Sequence, residues 1–154
     1  MTAPDCATWK QRPLERCVEL LTARPCASDL TRAAPGSIMR NRHAYLGLHF
    51  APRRWLLLEP DDSLVADLLS SGVRYSEVSG KWKLFTAAIS NARSALATAI
   101  DLEELLGNRE CARAYLFDCP VVLAQLEDSF VACVESSYEA SWIAAVQLTT
   151  SSDT

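Results

Sequence analysis

The sequence predicts an α+β domain: two antiparallel β-hairpins forming a small twisted sheet, covered by four to five α-helices. Three observations carry this class. "HAYLGLHF" alternates apolar and polar residues and is followed closely by "RWLLLE". "VRYSEV" and "KWKLFTA" are separated only by Ser79-Gly80, a two-residue connection with glycine where a hairpin turn wants positive φ. Around these runs, apolar residues recur at helical spacing.

Taken in chain order, residues 1–12 and 149–154 are expected to fray. In "PLERCVELL" the residues Leu14, Cys17, Val18 and Leu21 fall at i, i+3, i+4 and i+7, which predicts a short amphipathic helix with Pro13 in its first turn. "RPCASDLTRAAPGS" (24–37) reads as a connecting loop. In the first hairpin, Ala44, Leu46, Leu48 and Phe50 share one face, and His43, Tyr45, Gly47 and His49 share the other. Pro52 starts its turn. "DDSLVADLLSSG" is a capped helix, with Asp61, Asp62 or Ser63 at the N-cap, Leu64, Val65, Leu68 and Leu69 as its stripe, and Gly72 at its end.

After the second hairpin, Ile89, Ala92, Leu96, Ala99 and Leu106 predict one helix closed by Gly107-Asn108, with Asp101 and Glu104 as a capping box. Hairpin, helix, hairpin, helix thus forms an organisational echo. "CARAYLFDC" fits strand and helix equally. Pro120 marks a helix start, and Leu123, Leu126, Phe130, Cys133 and Val134 carry that helix to about residue 137. "SWIAAVQLTT" leans to helix.

At 154 residues and 49% hydrophobic, the chain suits a single domain. Charge is uneven: residues 1–58 carry nine Lys/Arg against four Asp/Glu, and residues 59–154 carry six against fifteen, together giving the net −4. That excludes a strongly basic nucleic-acid binder and leaves the front half as the anion-binding candidate. No segment has the length of a signal core or a spanning helix, so a cytoplasmic protein without membrane contact is expected. Six cysteines form no CxxC pair, and several share apolar stripes; they read as reduced thiols.

Site chemistry is mostly excluded by spacing. His43 and His49 on one straight strand stand about 20 Å apart, too far to share a zinc ion, so no metal is expected. Cys26 or Cys119 with a histidine base would make a cysteine nucleophile, but no local partner orients either. Asp61, Asp62, Asp101 and Glu104 are caps rather than an acid–base pair, and the five glycines stand alone at turns. A cationic rim remains: Arg40, Arg42, Arg53 and Arg54 flank a hairpin that carries Tyr45 and Trp55, and Lys81 and Lys83 lie on the next one.

The order loop, strand, strand, helix, "VRY", strand over residues 36–87 resembles the small bacterial double-wing family named for MmcQ and YjbR. The matching text is "GSIMRNRHAYLGLHF", "RWLLLEPDDSLVADLLSSG" and "GKWKLF", where that family places a Lys-x-Trp-like run on its last wing. The resemblance covers about a third of the chain, shares no catalytic motif, and implies a loose association with DNA. The αββαββα order also looks like that of acidic secretion chaperones, small dimers that bind unfolded clients.

The expected function is a non-enzymatic macromolecular interaction module: a protein-binding adaptor or chaperone-like homodimer without a cofactor. Its partner would be met by Tyr45, His49, Arg42, Arg53, Arg54 and Trp55. A weak DNA binder using the basic hairpin rim is the first alternative. A cysteine-dependent enzyme is the second.

Overall fold

Two runs that satisfy a helical period in the sequence, Leu14–Leu21 and the stretch from Pro120 to about residue 137, hold strands rather than helices. The computed structural model describes residues 9–21, 38–41, 44–70, 72–97 and 99–152. Cys6, Cys26, Arg42, His43 and the loop expected over 24–37 lie outside the described residues. The described strands are β1 (Lys10–Arg12), β2 (Cys17–Leu21), β3 (Ile38–Asn41), β4 (Ala44–Ala51), β5 (Arg54–Leu58), β6 (Arg74–Glu77), β7 (Trp82–Ala88), β8 (Cys111–Leu116), β9 (Cys119–Gln125) and β10 (Ser129–Glu135). They build two five-stranded sheets, one ordered β1-β7-β10-β9-β8 and the other β3-β4-β5-β2-β6, and every pairing is antiparallel. The helices are α1 (Asp62–Ser70), α2 (Ile89–Ala97), α3 (Leu102–Leu106) and α4 (Glu139–Ser152). This overturns the expected α+β class, in which one small two-hairpin sheet lay under four to five helices.

Three apolar layers explain the arrangement. Leu46, Leu48, Phe50, Leu56 and Leu58 of the second sheet meet Trp82, Leu84, Val122, Val131 and Cys133 of the first between the two sheets. The outer face of the first sheet, with Phe85, Leu123, Phe130 and Val134, is covered by Ala92 and Leu96 of α2 and by Trp142 and Val146 of α4. The outer face of the second sheet, with Val18, Leu20, Trp55 and Leu57, is covered by Val65 and Leu68 of α1. A strand in the middle of such a stack is apolar at every position, and a continuous apolar run satisfies both periods. That is why "CPVVLAQ" and "SFVACVE" read as one helix from Pro120 to about 137 and fold instead as β9 and β10. Pro120 sits where the ladder to β10, which begins at Val121, has not yet started.

The predicted helix over Leu14–Leu21 is corrected for the same reason. Cys17 points between the sheets while Val18 and Leu20 point to α1, so adjacent apolar residues serve opposite faces of β2. The second hairpin is also corrected: β6 pairs with β2 in one sheet, while β7 pairs with β1 and β10 in the other. Ser79-Gly80 still turns, with Gly80 at φ +88 and Lys81 N–H donating to Val78 O at 2.9 Å. It carries the chain across from one sheet to the other. β7 is buried at most of its positions between β1 and β10, whereas β6, exposed at Arg74, Ser76 and Glu77, takes the edge beside β2. The single helix expected over 89–106 is two, because the Asp101 carboxylate accepts from the N–H groups of Glu103 and Glu104 and starts α3 afresh.

The repeated order is real but differs from the echo seen in the sequence. From β2, a segment leads to the meander β3-β4-β5, then α1, then β6, which pairs with β2. From β7, the chain passes α2 and α3 to the meander β8-β9-β10, then α4. The place that β6 holds beside β2 is taken beside β7 by β1, from the start of the chain. The two sheets are thus the same four-stranded unit twice, each with a fifth strand on its first strand. Arg16 pins the first unit, that of the second sheet: its guanidinium donates to Glu77 on β6 and Asp62 on α1, and both carboxylates hold it further into its charged form.

Candidate functional site

The first hairpin forms as the sequence predicts, with Ala51 opposite Arg54 and a turn of Pro52 and Arg53. Arg53 sits at φ +64, a left-handed position that non-glycine residues rarely hold. The register slips by one residue between Leu48 and Ala51, so β4 carries a bulge opposite Trp55. At that bulge His49 stacks on Trp55, on the face of the second sheet that α1 covers, with ring centroids 4.4 Å apart and planes 12° apart. His49 is 6% exposed and Trp55 is fully buried, so neither stands on an outward face. This corrects the expected exposure of the hairpin's polar face: α1 packs on the second sheet's outer side, over Trp55, Val18 and Leu20, which alternation alone does not reveal.

The other candidate residues are dispersed. Tyr45 is exposed but lies six residues before Ala51, about 20 Å along the strand from the turn. Arg53 is exposed at the tip. Arg54 leaves the turn and lies over the Phe50 ring at 5.1 Å. The structure therefore joins His49 to Trp55 and Arg54 to Phe50, and separates Tyr45 from both pairs.

Arg54 also reaches a groove of about 700 Å³ at one end of the second sheet. Its walls come from the last residues of β2, the first of β5 and β6, and the end of α1. Leu21 and Leu69 are 57% and 63% exposed there, and Tyr75 is half-buried. Glu19 is the one carboxylate among the lining residues. It accepts from Trp82 Nε1 and from Lys81 Nζ, each at 3.1 Å, with Arg54 4.0 Å away. Leu21 and Leu69 were expected to face inward. Leu69 loses out because Val65 and Leu68 already occupy the line of contact beneath α1, and Leu21 because β2 ends there. Arg74 carried no sequence signal at all, since only strand pairing brings it beside Leu21.

The four described cysteines are buried thiols. Burial pushes Cys17 and Cys111 up to about 12 from an ordinary 9.0, and raises Cys119 and Cys133 as well. They are held protonated, the opposite of what a nucleophile needs. Among the described residues, no group of three His, Cys, Asp or Glu side chains is placed to hold a metal ion, and no helix is long and apolar enough to cross a membrane.

Fold and groove together define a two-sheet, helix-flanked β-protein with an open apolar and cationic cleft at one sheet end. A solved structure similar in fold is a chain of the heterotetrameric sarcosine oxidase from Corynebacterium sp. U-96 in complex with pyrrole 2-carboxylate. It superposes with a TM-score of 0.74 at 16% identity, over 94% of this chain and 83% of that one. At that identity the likeness is one of fold. No family model matches the sequence, and no curated protein matches it.

Proposed function

We propose that this chain is a non-enzymatic protein-interaction module, adaptor-like in action, which receives its partner at the groove between the end of α1 and β6. The observation that carries this reading is the pair of aliphatic side chains Leu21 and Leu69, both more than half exposed and lining one groove. Grouped exposed apolar residues rimmed by charge mark interaction surfaces more often than isolated ones do. The similar fold found in a heterotetrameric enzyme supports the reading, because that fold serves there inside a multi-subunit assembly. The protonated state of the four described thiols weighs against a cysteine-dependent enzyme. A DNA-binding role would need two basic wings, and β6 and β7 do not form the second.

A photo-crosslinking side chain placed at Leu69 in the producing cell tests this. A discrete adduct is expected at Leu69 and lost when Leu21 is changed to Asp, while the same probe at Tyr115, 70% exposed on the far edge of the other sheet, gives none. Equal labelling at both positions, or none at Leu69, removes the reading.

A further inference from the structure

Resting on that reading, we propose that the occupant of the groove is an extended peptide segment of the partner in which acidic and apolar residues alternate. It adds as a strand to the free edge of β6, with a carboxylate on Arg74. The pairing register supplies the geometry. Arg54, Leu21 and Arg74 are direct cross-strand partners on β5, β2 and β6, which sets their side chains on one face of the sheet. Two strand steps put the Cα atoms of the two arginines about 10 Å apart, with the exposed Leu21 between them.

The charge of Arg74 is available. Glu19, the carboxylate among the lining residues, is already committed to Trp82 and Lys81 and lies 4.0 Å from Arg54. The Arg74 backbone pairs with β2, but among the described residues its guanidinium makes no hydrogen bond or ion pair. A guanidinium that is exposed, cationic and beside an apolar side chain matches a carboxylate flanked by apolar residues.

The edge supplies the extended form. Val78 N–H donates to Cys17 O at 2.9 Å, so alternation along β6 turns the backbone groups of Tyr75 and Glu77 away from β2. Among the described residues, no strand pairs with β6 on that side. A strand added there meets two different faces in turn. Residues opposite Arg74 point to the arginine row, and residues opposite Tyr75 point to Tyr75, Val73 and Leu69. The two-residue period of the edge therefore demands a two-residue period in the ligand: acid toward one face, apolar toward the other. A small amphipathic anion could use the arginines and the leucines, but it would leave the edge unused.

The test uses the full chain as bait for a random-peptide display library, followed by fluorescence anisotropy on synthetic copies of the selected peptides. Selected peptides are expected to alternate Asp or Glu with apolar residues, to bind more weakly as salt rises, and to lose binding when alternate backbone nitrogens are methylated. Arg74→Glu is expected to weaken them roughly tenfold, the scale of one lost charge-assisted contact. Arg74 is exposed, so its melt should not move, and Arg74→Gln provides a second variant if Arg74→Glu does not fold. Selection without acidic preference, or affinity indifferent to both Arg74 variants, overturns this proposal while leaving adaptor function standing as long as the Leu69 adduct persists. Saturable binding of laurate with no peptide selected overturns it in favour of a small-anion site. Absence of the Leu69 adduct removes the underlying reading instead.

Discussion

Truncating Trp142 to alanine should remove the main attachment of α4 to the first sheet. Its indole is fully buried and lies against Trp9, Phe85 and Phe117, with ring centroids 5.4, 6.0 and 5.9 Å away. An aromatic ring burying about 200 Å² at about 25 cal/mol per Å² represents about 5 kcal/mol of transfer free energy. Two effects reduce the measured loss. The unfolded chain already hides part of that area, and the indole Nε1–H has no hydrogen-bond partner among the described residues, so deleting it relieves about 1–3 kcal/mol. The cavity left behind adds to the cost, and the expected net is about 3–5 kcal/mol, against a total stability of about 5–15 kcal/mol for a domain. Urea unfolding followed by far-UV circular dichroism measures it: with m near 2 kcal/mol per M, the midpoint should fall by about 2 M at constant m. Trp142→Phe keeps the ring contacts and drops the unpaired N–H, so it should cost only about 1 kcal/mol. A midpoint shift under about 0.5 M for Trp142→Ala would refute the docking of α4 through this residue.

Two further outcomes follow from buried groups. Because burial raises the thiols of Cys17 and Cys111 from 9.0 to about 12, the native state holds protons that the unfolded chain releases; stability should be fully present below pH 9 and fall as pH climbs from 9 toward 12, and native protein at pH 8 should label with a thiol reagent far more slowly at these positions than denatured protein. Tyr45→Ala should stay within about 0.5 kcal/mol of wild type, whereas His49→Ala, which strips the stacked ring from Trp55, should cost about 1–3 kcal/mol in the same urea assay; equal effects would show that His49 is not packed on Trp55.

Local rules governed what could be read from the chain. The first hairpin, the Asp61-capped start of α1 with Leu64 N–H on the Asp61 carboxylate at 2.8 Å, the Gly72 stop at φ +76 and the Asp101 cap of α3 all depend on neighbours a few residues away, and all are legible in sequence. The candidate site was legible only in part. Arg54 was named and does line the groove, but Leu21, Leu69 and Arg74 reach it through strand pairing and helix docking, which no spacing rule encodes. Layering is what the sequence left open. Stacking two sheets buries both faces of β2, β9 and β10, and a run that must be apolar everywhere loses the alternation that would distinguish strand from helix. The pairing choice of β6 and β7 was likewise decided in three dimensions. A Ser-Gly turn permits a hairpin, but β7 is taken up between β1 and β10, where most of it is buried, and β6 pairs with β2, partners that lie far away in sequence.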